Sequence, residues 1–461
     1  MSVGRRRFFA SVSAGSAAYL TGCVTPAMSP VTADGGAPCP TVSDPDPPSL
    51  EFPPASYFDQ LSLDLDARTI GTPVVFVDLD RMESNIDIIR DAIAGGPSPK
   101  RFRIVEKSLP SIDLLRLVSA RARSESFLVL HLPLLPALLE AFPDADVISG
   151  KTHLTSAVER FFLDLPEGQH ASAAARVVFL ADSVERVMEL ASLASDLRVR
   201  LGSPTLRLRV SIEIDVGLRR SGVSRPEDLA PVLMALRDSP SLELAGLLGY
   251  EGHVVHTPLG TSEAAHAAWD ASMDDYRAFV AILESFPDLV RDDLVFHGGG
   301  TTTFALFGGE TPVRDVGTGG GVLRPGEYSD MFLAGLVPAV FVASPVLRQY
   351  DAPRIPFLNE RSSASAFGGR QGVTVYGGGW PAYFTYPRVT PPPLSGTGCG
   401  AVPLVPNQGL LAADADVPLQ IGDWIYFHPL TSDVIFQFER IHTVRASRLT
   451  GETLAAYPRR Y

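Results

Sequence analysis

A chain of 461 residues, 45% apolar and 20% charged, is long enough to bury one large core and a second domain beside it. Its net charge of −13, falling to −16 if Arg5, Arg6 and Arg7 are removed with residues 1–22, excludes nucleic acid as a natural partner. Cys23, Cys39 and Cys399 include no Cys-x-x-Cys pair. In an oxidising compartment Cys39 and Cys399 either bridge or stand as two separate thiols.

Residues 1–23 read as an export signal. Arg5-Arg6-Arg7 precedes a weakly apolar run that is too short to cross a bilayer, the pattern of a twin-arginine signal. Leu20-Thr-Gly-Cys23 resembles a bacterial lipobox, whose cysteine is lipidated. The expected location is therefore the periplasm, with membrane contact only through an N-terminal lipid anchor. Residues 24–60, rich in Pro, Ser, Thr and Gly, read as a flexible tether.

From Thr72 onward the pattern alternates strand and helix. Val74–Asp78 is apolar and β-branched, a helix is expected from about Met82 to Ala94, and a second short strand ends near Lys107, together a βαβ unit. Further strands are expected at Phe127–Leu130, Val147–Ile148, Arg176–Leu180, Leu206–Ile214, Leu244–Gly249 and Leu294–His297. Helical stretches such as Val184–Leu197, Asp228–Arg237 and Ala264–Glu284 separate them. This repetition predicts an α/β fold, a (β/α)₈ TIM-like barrel over residues 68–310. After that, Gly/Pro-punctuated short strands, including Gln371–Tyr376 and Asp423–Phe427, predict an all-β domain over 311–461 that completes the active site.

Several motifs fall at expected strand ends, where parallel α/β barrels do their chemistry. They are Arg103-Ile-Val-Glu-Lys107, Asp215-Val-Gly217-Leu-Arg-Arg220-Ser-Gly222, Gly246-Leu-Leu-Gly-Tyr250-Glu-Gly-His253, His297-Gly-Gly299-Gly300-Thr301-Thr-Thr303 and Arg324-Pro-Gly-Glu-Tyr328. Glycines permit close backbone approach to a phosphate, and threonine hydroxyls add donors. Taken in order with Thr72-Pro and Asn85, these segments resemble the alanine-racemase-like, fold type III pyridoxal-phosphate enzymes, most closely their D-threonine aldolase and D-serine dehydratase branch.

The resemblance implies pyridoxal 5′-phosphate as cofactor, held covalently by Lys107, with Arg220 near its phenolic oxygen. Gly299, Gly300 and Thr301 would receive the phosphate. His253 would meet the ring or substrate, and Tyr328 the phosphate or the opposite face of the substrate. Two departures bear on mechanism. Ile104-Val105 replaces a Pro-His pair beside the lysine, and Thr431 stands where the metal-dependent branch supplies an imidazole ahead of Asp433. Because a neutral hydroxyl is a poor ligand for zinc or manganese, no metal is expected. On a strand, His428 would face away from Thr431.

The implied activity is a lyase acting at Cα of D-β-hydroxy amino acids. An amino-acid racemase is the alternative within the same chemistry. A non-catalytic cofactor- or ligand-binding periplasmic protein is the alternative from another class. The relatives also suggest a homodimer.

Overall fold

The computed structural model describes residues 50–457, apart from 329–330, 355–357, 388, 391–403, 406 and 414–417. The expected signal, residues 24–49 of the tether and all three cysteines lie outside this range. No helix among the described residues is long and apolar enough to cross a membrane.

The described chain opens with helix α1 (Ala55–Ala67), strand β1 (Val74–Asp78) and helix α2 (Leu79–Ala94). Eight parallel strands then close into a barrel: β2 (Arg101–Val105), β3 (Ser126–Val129), β4 (Asp146–Ser149), β5 (Val177–Ala181), β6 (Leu208–Ile214), β7 (Leu242–Gly249), β8 (Val295–Gly298) and β9 (Asp315–Thr318). Strands covered on both faces need apolar residues on both, and Val-Val-Phe-Leu-Ala of β5 is buried throughout. Val105, Leu128, Ile148, Val178, Leu180, Ala245, Leu248 and Val295 form one apolar cluster, distinct from the main core that includes Phe127, Val147 and Phe179.

A second sheet, ten-stranded among the described residues, contains β1 together with β10 (Val340–Tyr350), β11 (Gly372–Val375), β12 (Trp380–Tyr386), β13 (Val389–Thr390), β14 (Leu404–Val405), β15 (Gly409–Ala413), β16 (Trp424–Pro429), β17 (Arg440–Arg445) and β18 (Arg448–Ala455). Two boundaries therefore move from those expected. Strand β1 is not a barrel strand: it lies antiparallel to β10, with Val75 opposite Val342, and parallel to β17, with Val75 opposite Ile441. At the other end, the barrel extends past residue 310, because β9 pairs with both β8 and β2 to close it.

The tether also ends earlier than residue 60. Tyr57, Phe58, Leu61 and Leu65 recur at helical spacing and are buried, so α1 lays an apolar stripe against Phe76, Phe341 and Tyr426 of the sheet. Tyr57 donates to Asp78 at 2.9 Å, and the indole of Trp424 donates to Asp66 at 2.9 Å. Proline content upstream conceals this stripe, which begins immediately after Pro53-Pro54.

Asn85, fully buried on α2, ties the barrel to the segment leading into β10. Its amide donates to the carbonyls of Val322 and Val337 at 3.0 and 2.8 Å and accepts from the Val337 amide at 2.9 Å. An apolar residue there would leave three buried backbone groups unpaired.

Candidate active site

The carboxyl ends of the barrel strands surround a cavity of about 400 Å³, a volume suited to a small-molecule ligand. Lys107, on the turn Glu106–Ser108 that follows β2, lines it. Arg220, Gly299, Gly300, Thr301 and Tyr328 line it as well, so residues from four distant motifs meet at one place. The sequence motifs did not single out His256, His297, Thr318 or Glu327 as site residues, yet these also face the cavity.

His253 is the exception among the expected residues. It is not on the cavity wall. Its ring covers Gly217, where an added Cβ would lie 2.8 Å from Nε2. Asp215 fixes the same loop by accepting from the Gly217 and Arg219 amides at 3.0 and 2.9 Å. His253 therefore props the loop that carries Arg220, whose guanidinium lies over the Tyr250 ring, 5.2 Å from its centre. From this segment the imidazole reaching the cavity is His256, at the end of the turn Val254–His256.

The glycine run works differently from the expectation that its amides would all face a phosphate. The Gly299 amide donates to Glu251 at 3.2 Å, and the Gly300 amide donates to Thr303 Oγ1 at 3.1 Å. Thr303 in turn donates to Glu251. The glycines supply shape: Gly299 has φ +92°, and a Cβ on Gly300 would lie 2.8 Å from the Tyr250 ring. A second close approach is made at Gly319 and Gly320. A Cβ on Gly319 would lie 2.2 Å from the Val105 carbonyl, and one on Gly320 would lie 2.1 Å from the Tyr328 hydroxyl. Thr301 accepts from the Gly321 amide at 3.1 Å and shares a hydrogen bond with Thr318 at 3.1 Å, joining the two glycine runs.

Burial and the neighbouring Glu327 push the Tyr328 hydroxyl well above its ordinary range, so it stays protonated as a donor. The arrangement is a narrow glycine-lined recess capped by hydroxyls, beside a lysine at the barrel mouth. It fits a flat ring carrying a phosphate, with an amine placed to bond to it.

Beneath the cavity lies a charged network. Arg103 is fully buried. It donates through Nε to Asp315 at 2.7 Å, through Nη2 to Asp146 at 2.7 Å, and through Nη1 to the carbonyls of Phe127 and Asp146 at 3.0 and 2.9 Å. Arg101 pairs with Asp315 from the other side. Burial alone would raise the Asp315 carboxyl, but Arg103 and His297 outweigh it and hold it far below the usual carboxylate range.

The segment matching the metal-binding region of the metal-dependent branch has other work here. Thr431 Oγ1 accepts from the Asp433 amide at 3.3 Å, capping the turn Ser432–Gln437. His428 is fully buried between Phe52 and Phe341, with Nε2 donating to the Arg324 carbonyl at 2.9 Å, and burial takes its imidazole down to about 4. It is positioned as a sheet residue. Among the described residues no three His, Cys, Asp or Glu side chains converge as a metal site. Asp330, two residues after Tyr328, lies outside the described residues.

Comparison with known proteins agrees with this geometry. The family model for the alanine racemase N-terminal domain matches residues 77–322. A 3-hydroxy-D-aspartate aldolase of Paracoccus denitrificans (strain Pd 1222) is 25% identical over 244 residues, 52% of this chain and 57% of that protein. The chain thus spans little more than half the length of that curated relative. Among solved structures, D-threonine aldolase from Filomicrobium marinum superposes with a TM-score of 0.60 at 16% identity, over 84% of this chain and 97% of the other. D-threo-3-hydroxyaspartate dehydratase from Delftia sp. HT23 gives 0.59 at 19% identity, over 85% and 98%. Alanine racemase from Bacillus anthracis gives 0.56 at 15% identity, over 84% and 98%. At such identities these structures share the fold.

Proposed function

Because this chain belongs to the alanine racemase N-terminal domain family and takes pyridoxal phosphate as its cofactor, we propose that it is a lyase acting at Cα of D-β-hydroxy amino acids. The observation that carries the reading is the convergence of Lys107 with the double glycine recess and Tyr328 in one cavity. When bound, the cofactor supplies an electron sink for negative charge developing at Cα.

The chain's own residues supply position and protons. Lys107 would hold the cofactor covalently and is placed to act as a base at the barrel mouth. Gly319 and Gly320, packed against Val105 and Tyr328 where no side chain would fit, bring backbone to the cavity wall beside the phosphate's place, and Tyr328, Thr301 and Thr302 offer it hydroxyls. Arg220, steadied on Tyr250, offers a cation to the phenolic oxygen. His256 and Glu327 are further cavity groups able to exchange a proton with a substrate hydroxyl.

The 3-hydroxy-D-aspartate aldolase match favours carbon–carbon cleavage as the first activity to seek. The deciding experiment incubates holoenzyme with D-threonine, 3-hydroxy-D-aspartate, D-serine and their enantiomers, and assays aldehyde, keto acid and inversion. Aldehyde or keto acid from D-β-hydroxy substrates supports the reading. Inversion alone would replace it with a racemase, and absence of a cofactor absorbance band would reject it.

We also infer that residues 1–23 direct export and that Cys23 anchors the mature chain. The twin arginines and Leu20-Thr-Gly-Cys23 support this. Lysine at Arg5 and Arg6 should retain the protein in the cytoplasm, and Cys23→Ala should release it from membranes; unchanged fractionation in both sinks the inference. Assembly as a homodimer belongs to the same reading, and light scattering at the mass of one chain would remove it.

A further inference from the structure

The barrel strands present the apolar side chains of Val105, Leu128 and Leu248 to the cavity, with His297 and Thr318 as their polar ones. Leu128 and Leu248 line the cavity from the interior cluster, joined by Val105, while His297 sits at the same depth two residues after the interior Val295. Its ring occupies the space a side chain at Gly317 would claim: a Cβ there would lie 2.9 Å from Cε1 and 3.1 Å from Nε2. The ring is 3% exposed, so its orientation is set by the protein.

That orientation is specific. His297 Nδ1 lies 2.6 Å from Asp315 Oδ1, and Asp315 is held as an anion by Arg103 and Arg101. An ionised carboxylate can only accept, so Nδ1 carries the proton and donates it. In the neutral imidazole, Nε2 is then a lone pair. No described residue hydrogen-bonds to Nε2, and the side chain faces the cavity. That lone pair is open to a donor on a ligand in the cavity.

We propose that His297 receives the protonated ring nitrogen of pyridoxal phosphate, with Asp315 and Arg103 as positioning residues behind it. The inference rests on the cofactor reading above and goes beyond it by naming the protein partner of the ring. The cofactor's phosphate, phenolic oxygen and aldehyde carbon are matched by the glycine recess, Arg220 and Lys107. The ring nitrogen is the cofactor's remaining polar atom, and His297 is the ionisable side chain that the barrel strands themselves present to the cavity. An acceptor lone pair there stabilises the ring with its proton attached, and the Asp315 charge reinforces it through the imidazole. A protonated ring withdraws electrons more strongly than a neutral one, which suits a reaction that places negative charge at Cα.

The test uses apoprotein reconstituted with pyridoxal phosphate or with its 1-deaza analogue, in which C–H replaces the ring nitrogen. A charge-assisted hydrogen bond predicts that wild-type protein holds the natural cofactor at least about tenfold more tightly in equilibrium dialysis. His297→Phe should bind the two alike. A cofactor labelled with ¹⁵N at the ring should show the shift of a protonated pyridine in wild type and of a neutral one in His297→Phe. Equal wild-type affinities, or a neutral ring in wild type, overturn the proposal while leaving the cofactor reading intact. Binding of neither compound overturns both. The wild-type arms do not depend on the variant folding.

Discussion

Lys107 leaves β2 on a turn whose other residues are unlike it in exposure: Glu106 is fully buried, and neither of its carboxylate oxygens has a hydrogen-bond partner. Burial, with Asp433 nearby, pushes this carboxyl from its ordinary 4.5 up to about 8. Folded protein therefore binds a proton that unfolded chain has released between those two values, and stability falls as pH rises across that window. Each unit of difference corresponds to about 1.4 kcal/mol, so Glu106→Gln should be more stable than the parent at pH 8.5 by a few kcal/mol and nearly equal at pH 4.5. Urea unfolding at the two pH values checks this, and a parallel offset at both would refute it. For Lys107→Ala, the exposed side chain predicts an unchanged melting temperature, together with loss of the borohydride-reducible cofactor linkage and of turnover. Trapping on another lysine would count against the assignment. At Thr431, already committed to capping its own turn, one neutral hydroxyl beside Asp433 cannot rebuild a tight transition-metal site. Turnover should survive exhaustive chelation; loss restored by zinc or manganese would show that other ligands exist.

Helix α1 offers a test at the scale of an element. Phe58 is 1% exposed and contacts Phe341, Tyr386 and Tyr426 at ring-centre distances of 5.6, 5.4 and 4.9 Å. Phe58→Ala should cost about 3–5 kcal/mol, measured by denaturant unfolding, and a cost below about 1 kcal/mol would mean that α1 is dispensable to the sheet. Barrel strands such as β5 were legible in the sequence because burial on both faces writes itself as an unbroken apolar run, whereas β9, Asp315-Val-Gly-Thr318, has no such run and was not expected. The partner of such a run was not legible. Val74–Asp78 is equally apolar, and its composition says that both faces are covered without saying by which sheet. The site divides the same way. The resemblance of its motifs to the family pointed to Lys107, Arg220 and Tyr328, which line the cavity, but choosing between His253 and His256 required the path of the loop. Spacing also could not reveal that the Gly299 and Gly300 amides turn toward Glu251 and Thr303. His297 stood inside a quoted motif, and only its Asp315 partner, 18 residues later, distinguishes it.

Across the whole molecule the barrel is pinned from inside by Arg103, which joins β2 to β4 and β9. Burial opposes ionisation of Asp146 and Asp315, yet Arg103 keeps both carboxyls below their ordinary values. Folded protein thus binds fewer protons than unfolded chain. The resulting stability is present above about pH 4, the usual aspartate value, and is lost as pH falls through the folded values. Asp315→Asn leaves Arg103 buried with its charge incompletely matched and should cost about 3–5 kcal/mol at pH 7, with a shallower acid-unfolding slope than the parent. A variant as stable as the parent at pH 7 would rule this out.

The pairing of β1 with β17 has a consequence in time. Val75 and Ile441 are neighbours in the sheet yet 366 positions apart along the chain (441 − 75). On a ribosome, the barrel strands β2 to β9 are all synthesised while β1 still lacks this neighbour, and the second sheet cannot be completed until β17 and β18 have been made. A nascent chain arrested before residue 440 should therefore present β1 to proteases while the barrel resists them, and a chain extended past residue 455 should lose that cleavage.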